Sequence, residues 1–351
     1  MALSLSFIPL ASLAALLAGP PGGGSAATAD LDRGEQLYRQ GDVAGALAAF
    51  DAAAKADPKD ARPHYLRGVA LEKKGDVAGA MAAYRQAIAR KADFAEAHNG
   101  VGALLQAKGD QAGAAAEFEA AIKAKPTFAD AHYNLGIARD ALGQRPQALA
   151  AYREAVRLSP GNGAFRLDLG TALRRAGDVD GALAALKEAT RLLPKDPVAW
   201  TDLGMLLSDK KAYDDAQRAL DRATRLKVDY APAWNGLGRV ELKRGKIAES
   251  VAAQERARKL DPKNASFAAD LCRAVFELKE PARAVTECRA AVALEPGSPL
   301  PHYELMKALV AKGDCPAANA ELARFRALPG VKPEAKAQAD AIARTCALKG
   351  K

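Results

Sequence analysis

The sequence predicts an all-α protein: nine helix–turn–helix units in tandem, closed by one further helix. Three observations carry that prediction. Small residues recur at a spacing of 34 with no insertion over nine units. Each unit holds two helix-length stretches, parted in most units by a glycine, and most units end at a proline. The composition suits a helical array, being alanine-rich with 49% hydrophobic and 5% aromatic residues. A chain of 351 residues ordinarily suggests two or three globular domains. A tandem array overrides that prior, because it grows along one axis with no central core.

The stretch Ala129–Asn162 sets the register, with Ala129 as position 1. Position 8 is Gly in the first seven units (Gly34 to Gly238), then Cys272 and Met306. Position 20 is Ala in all units but the seventh, which has Ser250, and position 27 is Ala until Phe325. Small residues at 8 and 20 let the two helices of a unit, A and B, approach closely. Position 15 carries Gly41, Gly75, Gly109, Gly143, Gly177, Gly245 and Gly313, with Lys211 and Lys279 in the other two units. Glycine there takes φ > 0 and closes helix A. An Asp follows in five units, as in Gly75-Asp76, and is placed to cap helix B. Position 32 is Pro160 and its equivalents, which end helix B. Ala92 and Val228 replace that proline in the second and sixth units, where A–B packing should survive. Position 24 supplies the bulky plug of helix B: Phe50, Tyr84, Phe118, Tyr152, Leu186 and Leu220. Gln254 departs from this and predicts looser packing in the seventh unit.

This pattern resembles the tetratricopeptide repeat in length and in every signature position. The resemblance implies a right-handed α-solenoid over residues 30–332, with 333–351 as a capping helix that covers the last apolar face. It also implies that the A helices line a concave face whose positions 2, 5, 6, 9, 12 and 13 meet a protein or peptide partner. Carried over, position 5 gives Tyr65, Asn99, Tyr133, Thr201, Asn235 and Tyr303. Position 6 gives Asn134, Asp168, Asp202, Asp270 and Glu304; position 9 gives Arg239, Arg273 and Lys307; position 12 gives Arg174. The Lys and Asn set with which chaperone-binding members grip a C-terminal carboxylate is not matched, apart from Asn134. Acidic rungs at position 6 accompany basic rungs at position 9 towards the C-terminus. Two readings stay open: an internal ladder of ion pairs, or a polar groove for an extended peptide or a partner helix.

Residues 1–29 read as a signal peptide. An apolar run over 2–18 is followed by Pro20-Pro21-Gly22, and Ala27-Thr28-Ala29 has the small-residue spacing of a cleavage site before Asp30. No Lys or Arg precedes the run, so either the start lies upstream or the N-terminal amine supplies the charge. The run is short for a membrane span, and membrane contact would come only through an uncleaved signal. The expected location is periplasmic or secreted.

The net charge of +9 is spread over all the units and mixed with acids, which reads as a solvated helical surface and not a nucleic-acid site. His64, His98, His132 and His302 share position 4. Successive helices lie roughly 8–10 Å apart, whereas one ion needs bonds of roughly 2 Å, so these histidines cannot share a metal. Trp200 and Trp234 occupy the same position, which marks it as a packing site. No catalytic fingerprint, metal motif or cofactor motif is present.

All four cysteines fall after residue 270, an even number in a chain read as exported, so disulfides are expected. The register chooses among the three pairings. Cys272 (position 8, helix A) and Cys288 (position 24, helix B) are equidistant from the turn at residue 280. Cys315 and Cys346 are equidistant from the connection at Pro329–Val331. The expected bonds are Cys272–Cys288 and Cys315–Cys346, against the alternative of four reduced thiols. Together these readings predict a non-catalytic, exported interaction scaffold that supports assembly of an envelope complex. The rival is a recognition subunit of a cell-wall or polysaccharide enzyme system, with its chemistry on another chain.

Overall fold

A computed structural model describes residues 26–349. The apolar run predicted as the signal lies outside them. The described chain is helical throughout, with no strand among the described residues. It divides into two compact units between Ala176 and Gly177.

In the first unit, α1 (Ala26–Gln40) pairs with α2 (Val43–Ala56), α3 (Arg62–Lys74) with α4 (Val77–Arg90), and α5 (Ala95–Ala107) with α6 (Gln111–Ala124). Next, α7 (Ala129–Ala141) pairs with α8 (Arg145–Leu158), and α9 (Gly163–Arg175) packs on α8. The second unit opens with α10 (Val179–Leu192), which packs on α11 (Pro197–Asp209). Its pairs are α11 with α12 (Tyr213–Leu226), α13 (Ala231–Lys243) with α14 (Ile247–Leu260), α15 (Ala265–Glu277) with α16 (Pro281–Leu294), and α17 (Pro299–Lys312) with α18 (Cys315–Ala327). The predicted cap is α19 (Pro333–Lys349), which covers both α17 and α18. Ala27-Thr28-Ala29, the predicted cleavage motif, lie in the first turn of α1, with Ala27 buried.

Helix starts and stops follow the register. Asp42, Asp76, Asp110, Asp178 and Asp314 each accept a backbone N–H three residues on, at 2.8–3.3 Å. α4 and α12 end where their proline-bearing counterparts end, although Ala92 and Val228 follow them. Position 20 is buried in every unit. Position 8 works by leaving room for position 24. A Cβ on Gly34, Gly68, Gly102 or Gly136 would meet the ring of Phe50, Tyr84, Phe118 or Tyr152 at 2.4–2.7 Å. The ring therefore fills the space that the missing side chain leaves.

The expectation of loose packing at Gln254 is corrected. Gln254 is buried against Gly238, its Oε1 accepts from Asn235 Nδ2 at 2.8 Å, and its Nε2 donates to the Asn235 carbonyl at 3.2 Å. Ser250 donates to the Gly238 carbonyl at 2.7 Å. An amide replaces the ring because every polar atom it buries has a partner.

In the eighth unit both plug positions are cysteines, and Cys272 and Cys288 pair there with Cα atoms 4.9 Å apart. Cys315 and Cys346 pair with Cα atoms 5.5 Å apart and fasten the end of α19 to the start of α18. Both separations lie in the disulfide range, and both pairs are those the register selects. In the ninth unit Phe325 breaks the alanine series at position 27. It packs with Met306 on Ala339 and Ala343 of α19, where the cap covers the open end.

Lys211 and Lys279 adopt φ 62° and 64°, the conformation that glycine supplies in the other turns. An L side chain there is strained by roughly 1 kcal/mol. We expect Lys211→Gly and Lys279→Gly each to raise stability by up to about 1 kcal/mol, the relieved strain less glycine's added backbone entropy, read as a higher urea midpoint. A fall in that midpoint would show that the lysine stems pack in a way that outweighs the backbone strain.

Candidate partner-binding face

The residues assigned to the partner face come together in rows along the A helices, and much of their polarity is spent between neighbouring repeats. Position 5 of one repeat bonds position 6 of the next. Asn134 Nδ2 donates to Asn99 Oδ1 at 3.0 Å, the Tyr133 hydroxyl donates to Asp168, and Asn235 Nδ2 donates to Asp270 Oδ2 at 2.9 Å. Asn99, Asn134, Asn235 and Asp270 are buried. Tyr65 is buried against Tyr84 and Phe94. Tyr133 stacks on Phe165 with ring centroids 4.4 Å apart. Thr201 is buried and donates to the Pro197 carbonyl at 2.7 Å.

The position 6 and 9 charges pair within single helices, one turn apart. Arg273 bonds Asp270, and Lys307 Nζ lies 2.8 Å from Glu304 Oε2. Lys307 also stands over the rings of Phe276 and Tyr303, at 4.7 and 5.7 Å. Glu304 is buried; Tyr303, Arg273 and Lys307 are half-buried. Arg174, Asp168 and Asp202 are also half-buried. Arg239 is exposed and makes no ion pair among the described residues. Of the position 9 cations in the second unit, Arg239 is thus left without an ion pair among the described residues, and Arg273 and Lys307 continue its row in paired form, with Tyr303 beside the last.

Position 4 does more than pack. His98, His132 and His302 use Nε2, Arg166 and the two tryptophans a side-chain N–H, to meet the carbonyl six residues upstream, at position 32, over 2.8–3.1 Å. These groups satisfy a carbonyl in the turn between repeats, two residues past the end of the preceding helix B. The signal was in the sequence: His, Trp and Arg share a rigid N–H at the end of a flat side chain. Among the histidines, His64 is the exception. Arg90 Nε donates to the Pro58 carbonyl at 3.0 Å, and His64 Nε2 stays buried without a partner. Burial, Arg90 and Arg67 hold the His64 pKa below its usual value. Among the described residues, no group of three or more His, Cys, Asp or Glu is placed to hold a metal. None of the described helices is long and apolar enough to cross a membrane.

Burial pushes the carboxyls of Glu35, Glu72, Asp130 and Asp168 above their usual range. At Asp168 the Tyr133 hydroxyl and Arg175 pull the other way, and burial wins. A carboxyl with a raised folded pKa binds its proton more tightly when folded. Its contribution to stability is full below the unfolded value and is lost as pH rises through the folded one. Stability should therefore fall as pH rises from about 4 towards neutrality, and Asp168→Asn should flatten that fall. His64 acts with the opposite sign but equally in both proteins. Urea midpoints at several pH values, compared between wild type and variant, check this; parallel profiles would contradict it.

A family model described as tetratricopeptide repeat matches residues 31–96, 133–197 and 241–299. A second model of the same description matches 173–240, and one described as TPR repeat matches 105–143. The chain belongs to the tetratricopeptide repeat family. Such arrays are scaffolds for protein–protein interaction and are in general non-catalytic. Among solved structures it is similar to a chain of the APC/C hetero-tetramer Cut9–Hcn1, at 20% identity and TM-score 0.59. That match covers 86% of this chain and 59% of the other, so this chain spans less than two thirds of that neighbour's length. It is also similar to pilF of Pseudomonas aeruginosa, at 18% identity and TM-score 0.55, covering 59% of this chain and 95% of that one. A tetratricopeptide repeat protein of Parabacteroides merdae matches at 13% identity and TM-score 0.50, over 72% of this chain and all of that one. At these identities the likeness is one of fold. No protein of curated function matches the sequence.

Proposed function

We propose that this chain is an exported, periplasmic scaffold that supports assembly of an envelope complex by holding a peptide or helix of a partner protein along its A-helix face. The observation that carries the reading is the cationic row Arg239, Arg273 and Lys307, which follows the A helices of three successive repeats and leaves Arg239 unpaired among the described residues. An acidic or amphipathic segment fits such a row. Export is supported by the apolar run over 2–18 with Ala27-Thr28-Ala29, and by the two cysteine pairs at bonding distance, which suit an oxidising compartment.

The experiment has two arms. N-terminal sequencing of native protein from fractionated cells should find Asp30 first, outside the cytoplasm; residues 1–29 intact in the cytosol would defeat export. A partner recovered from envelope extracts should bind Arg239→Ala/Arg273→Ala more weakly, with unchanged helicity and with an effect that shrinks as salt rises. Unchanged affinity in that double variant would remove this face from the function.

A further inference from the structure

The opposite side of the second unit carries two grooves in one register. The first is a cavity of about 490 Å³ between α10 and α12, floored by Leu203 and Leu207 of α11. The second, of about 420 Å³, lies between α16 and α18 and is floored by Leu305 and Leu309 of α17. Both floors are positions 7 and 11 of helix A, and both are walled by helix B of two successive repeats. Both have a cation at position 25 on one wall and an arginine at position 26 on the other: Lys187 and Arg222 in the first, Arg289 and Arg324 in the second.

Three of the four acidic residues at position 25 are used differently, Asp221 being the fourth. Asp51 meets Arg67 at 3.3 Å, Glu119 meets Arg139 at 2.6 Å, and Glu255 meets Arg283. Each of these ion pairs bridges from helix B to the following repeat, across the site where a groove would open. Lys187 and Arg289, the position-25 cations of the two grooves, form no such bridge among the described residues. Lys187, Arg222 and Arg289 are exposed and have no ion-pair partner among the described residues. In the first groove Arg218 is neutralised by Asp215, so the uncompensated charge is that of Lys187 and Arg222, facing each other over a leucine floor with Trp200 alongside.

We propose that these grooves are a second docking surface, for an acidic segment of a partner protein that seats one bulky apolar side chain between flanking carboxylates. The leucine floor takes the apolar side chain; in the first groove the cations on opposite walls take one carboxylate each, whereas in the second Arg324 is paired with the buried Glu321 of its own wall at 3.0 Å and Arg289 alone takes a carboxylate. A cavity of this size holds one or two side chains. A flat anionic membrane is the poorer fit, because the floor leucines Leu203, Leu207, Leu305 and Leu309 are buried, within reach of an inserted side chain and not of a flat surface. The surface is separate from the A-helix row, so a partner could hold both sides of the array.

The test uses the full chain and a fluorescein-labelled library of peptides about 12 residues long, with Phe or Leu at the centre and Asp or Glu around it. A matching library with Lys in place of the acids is the control, and phosphatidylglycerol vesicles form the third arm. The acidic library should bind, the basic library should not, and Lys187→Glu/Arg222→Glu with Arg289→Glu should weaken binding by about tenfold or more. All three substitutions lie at exposed positions, and unchanged circular dichroism confirms folding. The proposal is overturned if the acidic library does not bind. It is equally overturned if binding is lost in Arg239→Ala/Arg273→Ala but kept in the charge reversals, or if vesicles bind and peptides do not.

Discussion

Reducing both disulfides in the folded protein should speed amide hydrogen exchange over residues 265–349 and leave residues 30–124 unchanged. The two bonds close segments of 16 and 31 residues by sequence separation. On the chain-entropy model each contributes about 3–4 kcal/mol. That is a large share of the stability of one end of a repeat array, whose stability is a sum of local terms. The contributions differ in kind. Cys272 and Cys288 are fully buried and stand where the first four repeats have a glycine and a ring, so reduction leaves two thiols filling a plug site. Cys315–Cys346 ties α19 over Met306 and Phe325, so its loss should free the cap and expose that apolar cluster. Cys346→Ser should accordingly bind a hydrophobic dye that the parent does not. Exchange rates over residues 265–349 that ignore the reductant, or that rise equally in both units, would show that the bonds carry no local stability.

The fold was legible because a fixed period turns sequence position into height along a helix pair. Gly75 at φ 83° and Asp76 capping α4 follow from local chemistry alone. The cysteine pairs follow from equidistance about a turn. The candidate face was legible only in part. Register says which residues point towards the A-helix side, but a bond such as Asn99 to Asn134 depends on how far one repeat is rotated against the next. That rotation has no local sequence signature. Hence several residues assigned to a partner, among them Asn99, Asn134, Asn235 and Asp270, are occupied by one another. Of the two readings of the charged rungs, pairing within one helix accounts for Asp270–Arg273 and Glu304–Lys307, while Arg239 stays outside the ladder. Gln254 misled for a related reason: its partner Asn235 lies on another helix, so the sequence showed only a departure from the bulky plug.

Gly102 and Phe118 should show an inversion of sign in a double-mutant cycle. In the parent protein a Cβ at Gly102 would lie 2.6 Å from Phe118 Cε1, and Phe118 is fully buried and cannot swing out. Gly102→Ala gains roughly 1 kcal/mol of helix propensity in the middle of α5. The overpacking costs about 1–3 kcal/mol or more, so the single variant should be destabilised. Phe118→Ala should lose about 3–5 kcal/mol, because it empties the plug of the third repeat. In that background the obstacle is gone and a cavity faces residue 102. Gly102→Ala should then stabilise by about 1 kcal/mol, since the propensity gain remains and the added methyl fills part of the void. The coupling between the two sites is the difference between these effects and should exceed about 1 kcal/mol, beyond the scatter of independent sites. Urea unfolding of the four proteins measures it. Additive effects would mean that glycine at position 8 is there for backbone flexibility and not to admit the ring. The eighth repeat already points to the steric reading: it has no glycine at position 8 and no ring at position 24, and Cys272 and Cys288 change together.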